Sequence, residues 1–152
     1  MIKRSCSEVG RVGNFDPRER VMSNVSEMDL RMMTQAVDLA NQCEPIRDSI
    51  PRVGAVILAE NGETLATGKR GNGNEGDNEH AEYNALAAVP DKMQLSNATL
   101  YTTLEPCTPA VRTLPLECCT KLIIQHQIRR VFIGILDPNQ GVCGNGFSEL
   151  QS

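Results

Sequence analysis

The sequence predicts an α/β fold, a three-layer α/β/α sandwich built on a mixed sheet. Three observations carry that expectation. Short apolar runs at residues 53–59, 98–103 and 130–135 alternate with helical segments, the pattern of a sheet held between helices. Asn61-Gly62 directly follows the first run and is a strong hairpin signal, which makes the sheet mixed. The chain has 152 residues, the length of one domain with a sizeable core.

Taken in order, residues 1–24 carry Gly, Pro, Arg and Asn with little apolar periodicity. They read as an N-terminal extension, either a flexible tail or an arm that packs on a partner subunit. The domain proper is expected over 25–152. A first helix is predicted over 28–43, with Leu30, Met33, Val37 and Ala40 on one buried stripe and Ser26 as its cap. The Met residues in it read as core filler. Residues 53–59 form a buried strand, and 64–68 its hairpin partner. The segment 69–78 is rich in Gly and Asn and reads as a loop that delivers the chain to His80 and a helix over 79–89. A third strand covers 98–103, after which Pro106 begins a turn or helix. A helical segment is expected over 116–126, then a fourth strand over 130–135 ended by Asp137-Pro138-Asn139. Residues 141–146 read as a loop and 147–152 as the start of a last helix.

Composition narrows the function classes. The chain is 40% apolar and 22% charged, with a net charge of −4 and a pI of about 5.2. An acidic balance does not attract phosphate backbones over a distance. Aromatics are few (Phe15, Tyr83, Tyr101, Phe132 and Phe147, with no Trp), which disfavours base stacking on single strands. No run of about 18 apolar residues is present, so no membrane span is expected. Met1-Ile2-Lys3-Arg4 is followed by no apolar signal core, so a cytoplasmic protein with reduced thiols is expected.

One constellation carries chemistry. His80-Ala81-Glu82 is followed by Pro106-Cys107 and then Cys118-Cys119. Catalytic zinc takes three protein ligands and keeps a fourth position open. His80, Cys107 and either Cys118 or Cys119 supply three. In zinc deaminases an H-x-E half is followed by P-C-x-x-C, and the Glu is a proton shuttle rather than a ligand. Glu82 would then take a proton from the attacking water and hand it to the substrate. Adjacent helical residues point about 100° apart, so one cysteine of the pair should coordinate and the other pack. A helix start beside Cys107 would favour its thiolate. Cys6 reads as an inert tail thiol and Cys43 as a core residue. Cys143 sits in a Gly-rich loop that could approach the site, and His126 reads as structural.

These residues make the chain resemble the cytidine deaminase-like superfamily, nearest to the pyrimidine deaminase domain of the riboflavin-biosynthesis deaminase/reductase. The resemblance covers about residues 28–152. It rests on Val53-Gly54-Ala55-Val56, His80-Ala81-Glu82, Ala98-Thr99-Leu100-Tyr101, Thr103-Leu104-Glu105-Pro106-Cys107, Arg112-Thr113, Arg130-Val131-Phe132, Asp137-Pro138-Asn139 and Gly144-x-Gly146. It implies a sheet of roughly five strands and a bound Zn2+. The implied activity is hydrolysis of a C–N bond in a cyclic amidine, exchanging an amino group for a carbonyl with release of ammonia. Counting back from Val131 without gaps, it also makes Cys119 the third ligand, with Cys118 as the alternative. Substrate contacts are implied at Ala55, Asn78, Arg112 and Thr113, and a homodimer or tetramer as the assembly.

The chain departs from the family in three places. The stretch between Cys107 and Cys119 is longer. Thr108-Pro109 stands where the family has a Ser-His stretch. Ile50 stands before Pro51 where the family has Asn. No reductase module follows residue 152 in this sequence, so the deaminase half alone is expected. The expected substrate is a small amino-heterocycle, as nucleobase, nucleoside or nucleotide. Two other readings use the same residues. One is a cytosine or adenine deaminase acting on single-stranded DNA or RNA, with Lys69, Arg70, Arg112, Arg129 and Arg130 lining a groove. The other is a non-catalytic zinc-binding partner domain, against which Glu82 argues.

Overall fold

The computed structural model describes residues 25–44, 50–71, 80–109, 117–139 and 142–151. The proposed extension over 1–24, Cys6, Asn78, Arg112 and Thr113 lie outside the described residues. So do parts of the loops over 69–78 and 108–116.

Helix α1 (Glu27–Asn41) starts at a reciprocal cap. The Ser26 hydroxyl accepts from the Asp29 N–H, and the Asp29 carboxylate accepts from the Ser26 N–H at 2.8 Å. Strand β1 (Gly54–Leu58) turns through Asn61-Gly62 into β2 (Thr64–Lys69), as the hairpin signal predicts. Helix α2 (Ala81–Ala88) ends before Pro90, whose ring disfavours helix in the preceding residue. The Lys92 ammonium then closes it by donating to the carbonyls of Leu86, Ala87 and Val89. A 3-10 turn (Lys92–Asn97) leads to β3 (Thr99–Leu104). Helix α3 (Cys119–Gln125), strand β4 (Arg130–Ile135) and helix α4 (Asn145–Leu150) complete the chain. Pro106 begins no helix; the chain stays irregular through 105–109.

The sheet order is β2-β1-β3-β4. β1 is antiparallel to both β2 and β3, and β3 is parallel to β4, so the sheet is mixed as expected. It has four strands among the described residues, one fewer than the resemblance implies. Alternation along the strands sorts two cores. Val56, Leu58 and Tyr101 face α1, against Met32 and Ala36. Ala55, Ile57 and Leu100 face the other way, against Ala81, Ala85 and Leu86 of α2 and Ile123 of α3. The three layers are therefore α1, the sheet, and α2 with α3 and α4.

One expectation about α1 holds only in part. Ala40 is buried and Met33 packs against the core as expected, but Leu30 and Val37 are 51% and 45% exposed, and Asp29, Met32 and Ala36 complete the inner face instead. The 3.6-residue period fits both stripes, and the Asp29 bond decides between them. The Tyr101 hydroxyl donates to Asp29 Oδ1 at 2.6 Å, which turns that polar residue inward. Burial raises the Asp29 pKa, but hydrogen bonds from Tyr101 and Ser26 outweigh it and leave it below the ordinary carboxylate value.

On the other face, α2 lies very close to the sheet. A Cβ at Gly68 would stand 2.2 Å from the Ala81 carbonyl oxygen, so only glycine lets the start of α2 reach the strand ends. Among the described residues, no helix is long and apolar enough to cross a membrane.

Candidate metal centre

The site forms where β3 ends and α2 and α3 begin. His80 is the N-cap of α2, in extended backbone that leaves its imidazole outside the helix barrel. Cys107 follows β3 after Glu105-Pro106. Cys119 is the first residue of α3. One ligand atom from each of His80, Cys107 and Cys119 lies within 4.8 Å of the other two. His80 Nδ1 is 3.5 Å from Cys119 Sγ, and the Cys119 N–H donates to Cys107 Sγ at 3.3 Å. Tetrahedral zinc with bonds of about 2.0–2.3 Å sets its donors roughly 3.5 Å apart, so a small contraction suffices. Two soft sulfurs and an imidazole are a donor set that suits zinc.

The cysteine pair separates cleanly. Cys119 is fully buried with the group, whereas Cys118 is the N-cap of α3 and its Sγ lies 3.4 Å from Thr120 Oγ1. Among the described residues the ligand group contains Cys119 and not Cys118. Cys43, Cys107, Cys118 and Cys119 are free thiols. The Cys107 thiol is pushed down to about 3. The hydrogen bond from the Cys119 side chain is the largest cause and His80 adds to it, against the cost of burial. That favours the thiolate form a metal needs.

His80 has a second neighbour. Its Nε2 lies 3.4 Å from Arg70 Nη2. A guanidinium only donates, so this contact fits the tautomer with the proton on Nδ1. A metal held through Nδ1 needs the other tautomer, and Arg70 would then have to turn away from Nε2.

Glu82, the second residue of α2, is 3% exposed. Its Oε2 is 3.7 Å from Cys119 Sγ, beside the ligand group and not in it. Burial pushes its pKa up, against its own backbone N–H and the neighbouring His80. The Thr102 hydroxyl stands 3.1 Å from Glu82 Oε1 and 3.1 Å from the Leu104 carbonyl. It has one proton to give. Donated to Glu82, that proton holds a carboxylate; donated to Leu104, it frees the oxygen to accept from a protonated Glu82. The site thus tolerates both forms of the acid. Sequence reasoning missed Thr102, because nothing in a strand residue twenty positions away marks it as the partner of Glu82.

Other predicted residues divide. Ala55 pairs with Thr102 across β1 and β3 and is fully buried, so its methyl offers no surface to a substrate. Arg129 and Arg130 lie at the opposite end of the sheet, where they meet Glu60 and Thr99, and do not join Arg70 in one groove. A cleft of about 500 Å3 opens at that far end between Asp29, Tyr101, Thr99 and Arg130. It holds none of the ligand group, so donor chemistry rather than volume marks the site. His126 caps α3 away from the group, with its pKa lowered by burial.

Residues 26–135 match the family model of the cytidine and deoxycytidylate deaminase zinc-binding region. The chain belongs to this family. The matched span contains His80, Glu82, Cys107 and Cys119. A riboflavin biosynthesis protein RibD from Actinobacillus pleuropneumoniae is 42% identical over 126 residues, 81% of this chain and 30% of that protein. A diaminohydroxyphosphoribosylamino-pyrimidine deaminase from Buchnera aphidicola is 37% identical, covering 81% of this chain and 78% of its own length. A solved diaminohydroxyphosphoribosylaminopyrimidine deaminase/5-amino-6-(5-phosphoribosylamino)uracil reductase from Thermotoga maritima superposes with a TM-score of 0.67 at 33% identity, over 82% of this chain and 34% of that one. This member of the family spans about a third of the length of its RibD relatives.

Proposed function

We propose that this chain is a zinc-dependent hydrolytic deaminase of a small amino-pyrimidine, of the riboflavin-biosynthesis kind. The single observation that carries the reading is Glu82. A buried carboxyl with a raised pKa stands beside a His-Cys-Cys group without joining it. A structural zinc site has no use for such a residue. The Buchnera relative, similar over most of both chains, supplies the substrate class.

In this reading His80, Cys107 and Cys119 hold the metal. Zinc bound there supplies Lewis-acid chemistry that makes water a nucleophile at neutral pH. Glu82 accepts the proton that this water gives up. With burial favouring its neutral form, it gives that proton to a ring nitrogen, then takes the second proton of the former water from the new hydroxyl and passes it to the leaving amine. Water contributes the new carbonyl oxygen, the ring carbon loses its exocyclic amine, and ammonia leaves. Thr102 follows Glu82 through both protonation states. Arg112 and Thr113, with Asn78, are proposed to grip the substrate. Arg70, beside His80, offers a cation at the rim for a phosphate on it. A cytoplasmic homo-oligomer belongs to the same proposal, supported by exposed Ile124, Ile135 and Phe147 around the edge strand β4.

The test is ammonia release by zinc-loaded protein from a panel: the diaminohydroxyphosphoribosylamino-pyrimidine, cytosine, cytidine, deoxycytidylate, guanine and a single-stranded oligonucleotide. Release from the first alone is the expected result. Turnover of the oligonucleotide in preference to it would overturn the small-substrate reading.

A further inference from the structure

We infer that Glu105 is a positioning residue for the metal centre, acting through helix α4, a role that rests on reading His80, Cys107 and Cys119 as ligands. Glu105 takes no part in the deamination proposed above, yet it is 3% exposed and stands two residues before Cys107. Its carboxylate accepts three backbone N–H bonds. Oε2 takes those of Asp137 and Gly144, each at 3.0 Å, and Oε1 takes that of Phe147 at 3.1 Å. Those donors lie after β4 and across the first turn of α4. The N-cap of α4 is Gly144, which has no side chain to cap with, so Glu105 supplies the cap from another element.

The fit is tight on both sides. Gly144 has φ 79, a conformation that favours glycine. A Cβ at Gly146 would stand 2.2 Å from the Pro106 carbonyl oxygen and 3.2 Å from Glu105 Oε1. Helix α4 is therefore seated directly on the backbone that leads into Cys107.

From α4 the contacts return to the second cysteine. The Thr120 hydroxyl donates to Glu149 of α4 at 2.7 Å. The Thr120 N–H donates to the Cys107 carbonyl at 3.1 Å, and Thr120 is the neighbour of Cys119. A closed ring of bonds thus runs from Cys107 through Glu105, α4 and Thr120 to Cys119. It sets the separation of the two sulfurs. The loop that joins them in sequence is long, so this ring substitutes for a short covalent spacing.

Glu105→Gln preserves shape but replaces one acceptor oxygen by an NH2 group. Whichever way the amide turns, at least one of the three N–H groups then faces a donor. Outer-shell partners of metal ligands typically contribute about 10–100-fold in metal affinity. The experiment loads wild type, Glu105→Gln and Thr120→Val with Co2+, records thiolate charge-transfer and ligand-field spectra, and measures Zn2+ affinity by chelator competition. Wild type should give a four-coordinate two-thiolate spectrum. Both variants should show an altered spectrum and zinc binding weaker by about tenfold or more. Folded Glu105→Gln with wild-type spectrum and affinity would overturn the inference, even if it melted earlier. Should Glu105→Gln not fold, Thr120→Val decides alone, and wild-type binding by it overturns the inference equally. Wild type that takes up no cobalt would overturn the metal reading itself and this inference with it.

Discussion

At residue scale the site is built from few atoms, and each has a distinct environment. Cys118 and Cys119 are neighbours in sequence and opposites in space: one sulfur meets Thr120, the other meets His80 and Glu82. Cys119→Ser should weaken zinc binding by orders of magnitude. Cys118→Ala should leave it within about threefold, since that thiol lies outside the ligand group. Chelator competition on the two variants checks this, and equal losses would contradict it. His80, Glu82 and Cys107 were legible in the sequence because they sit in short fixed motifs. Cys119 needed the count from Val131. Thr102 and Glu105 carried no signal of role, and Arg70 was read only as a groove residue, because their partners are set by tertiary packing rather than by spacing. Glu105 stood in plain view before Pro106, but only the fold shows three N–H groups converging on it.

At the scale of elements, α1 shows where periodicity stops deciding. Its apolar residues fit two stripes, and the pattern chose the one with Leu30 and Val37 inside, which the structure leaves exposed. The true inner face is pinned by a polar residue, Asp29, bonded to Tyr101, whose ring stacks on Phe132 at 4.9 Å. That bond has a pH signature. The folded pKa of Asp29 lies below its ordinary value of 3.8, so the unfolded chain binds the proton more readily. The stabilisation is then complete above the unfolded pKa and is lost as pH falls through the folded one. Asp29→Asn should melt below wild type at neutral pH, and the gap should narrow as pH falls below about 3.8. A gap that stays constant into acid, followed by circular dichroism, would contradict this account. Elements with plain signals were read well: the Asn61-Gly62 hairpin, the Ser26 cap, and β3 and β4.

At the scale of the whole molecule, the fold and its chemistry lie on one axis. The strand ends at Lys69 and Leu104 and the helix starts at Ala81 and Cys119 converge, and the ligand group sits among them. Class and layering were legible because strand and helix periods alternate along the chain. The strand count was not, since the fifth strand came from the resemblance and the described residues form four. Basic residues scattered along the sequence looked like one groove, but topology puts Arg129 and Arg130 at the far end of β4. The central claim is that Glu82 moves protons at a metal site it does not help to form. The direct measurement is ammonia release from the diaminohydroxyphosphoribosylamino-pyrimidine by wild type and Glu82→Gln at equal, measured zinc content. The account predicts turnover by wild type and a loss of at least about 10²–10⁴-fold in Glu82→Gln with zinc retained. Equal turnover by the two proteins, or loss of zinc together with activity, would contradict it.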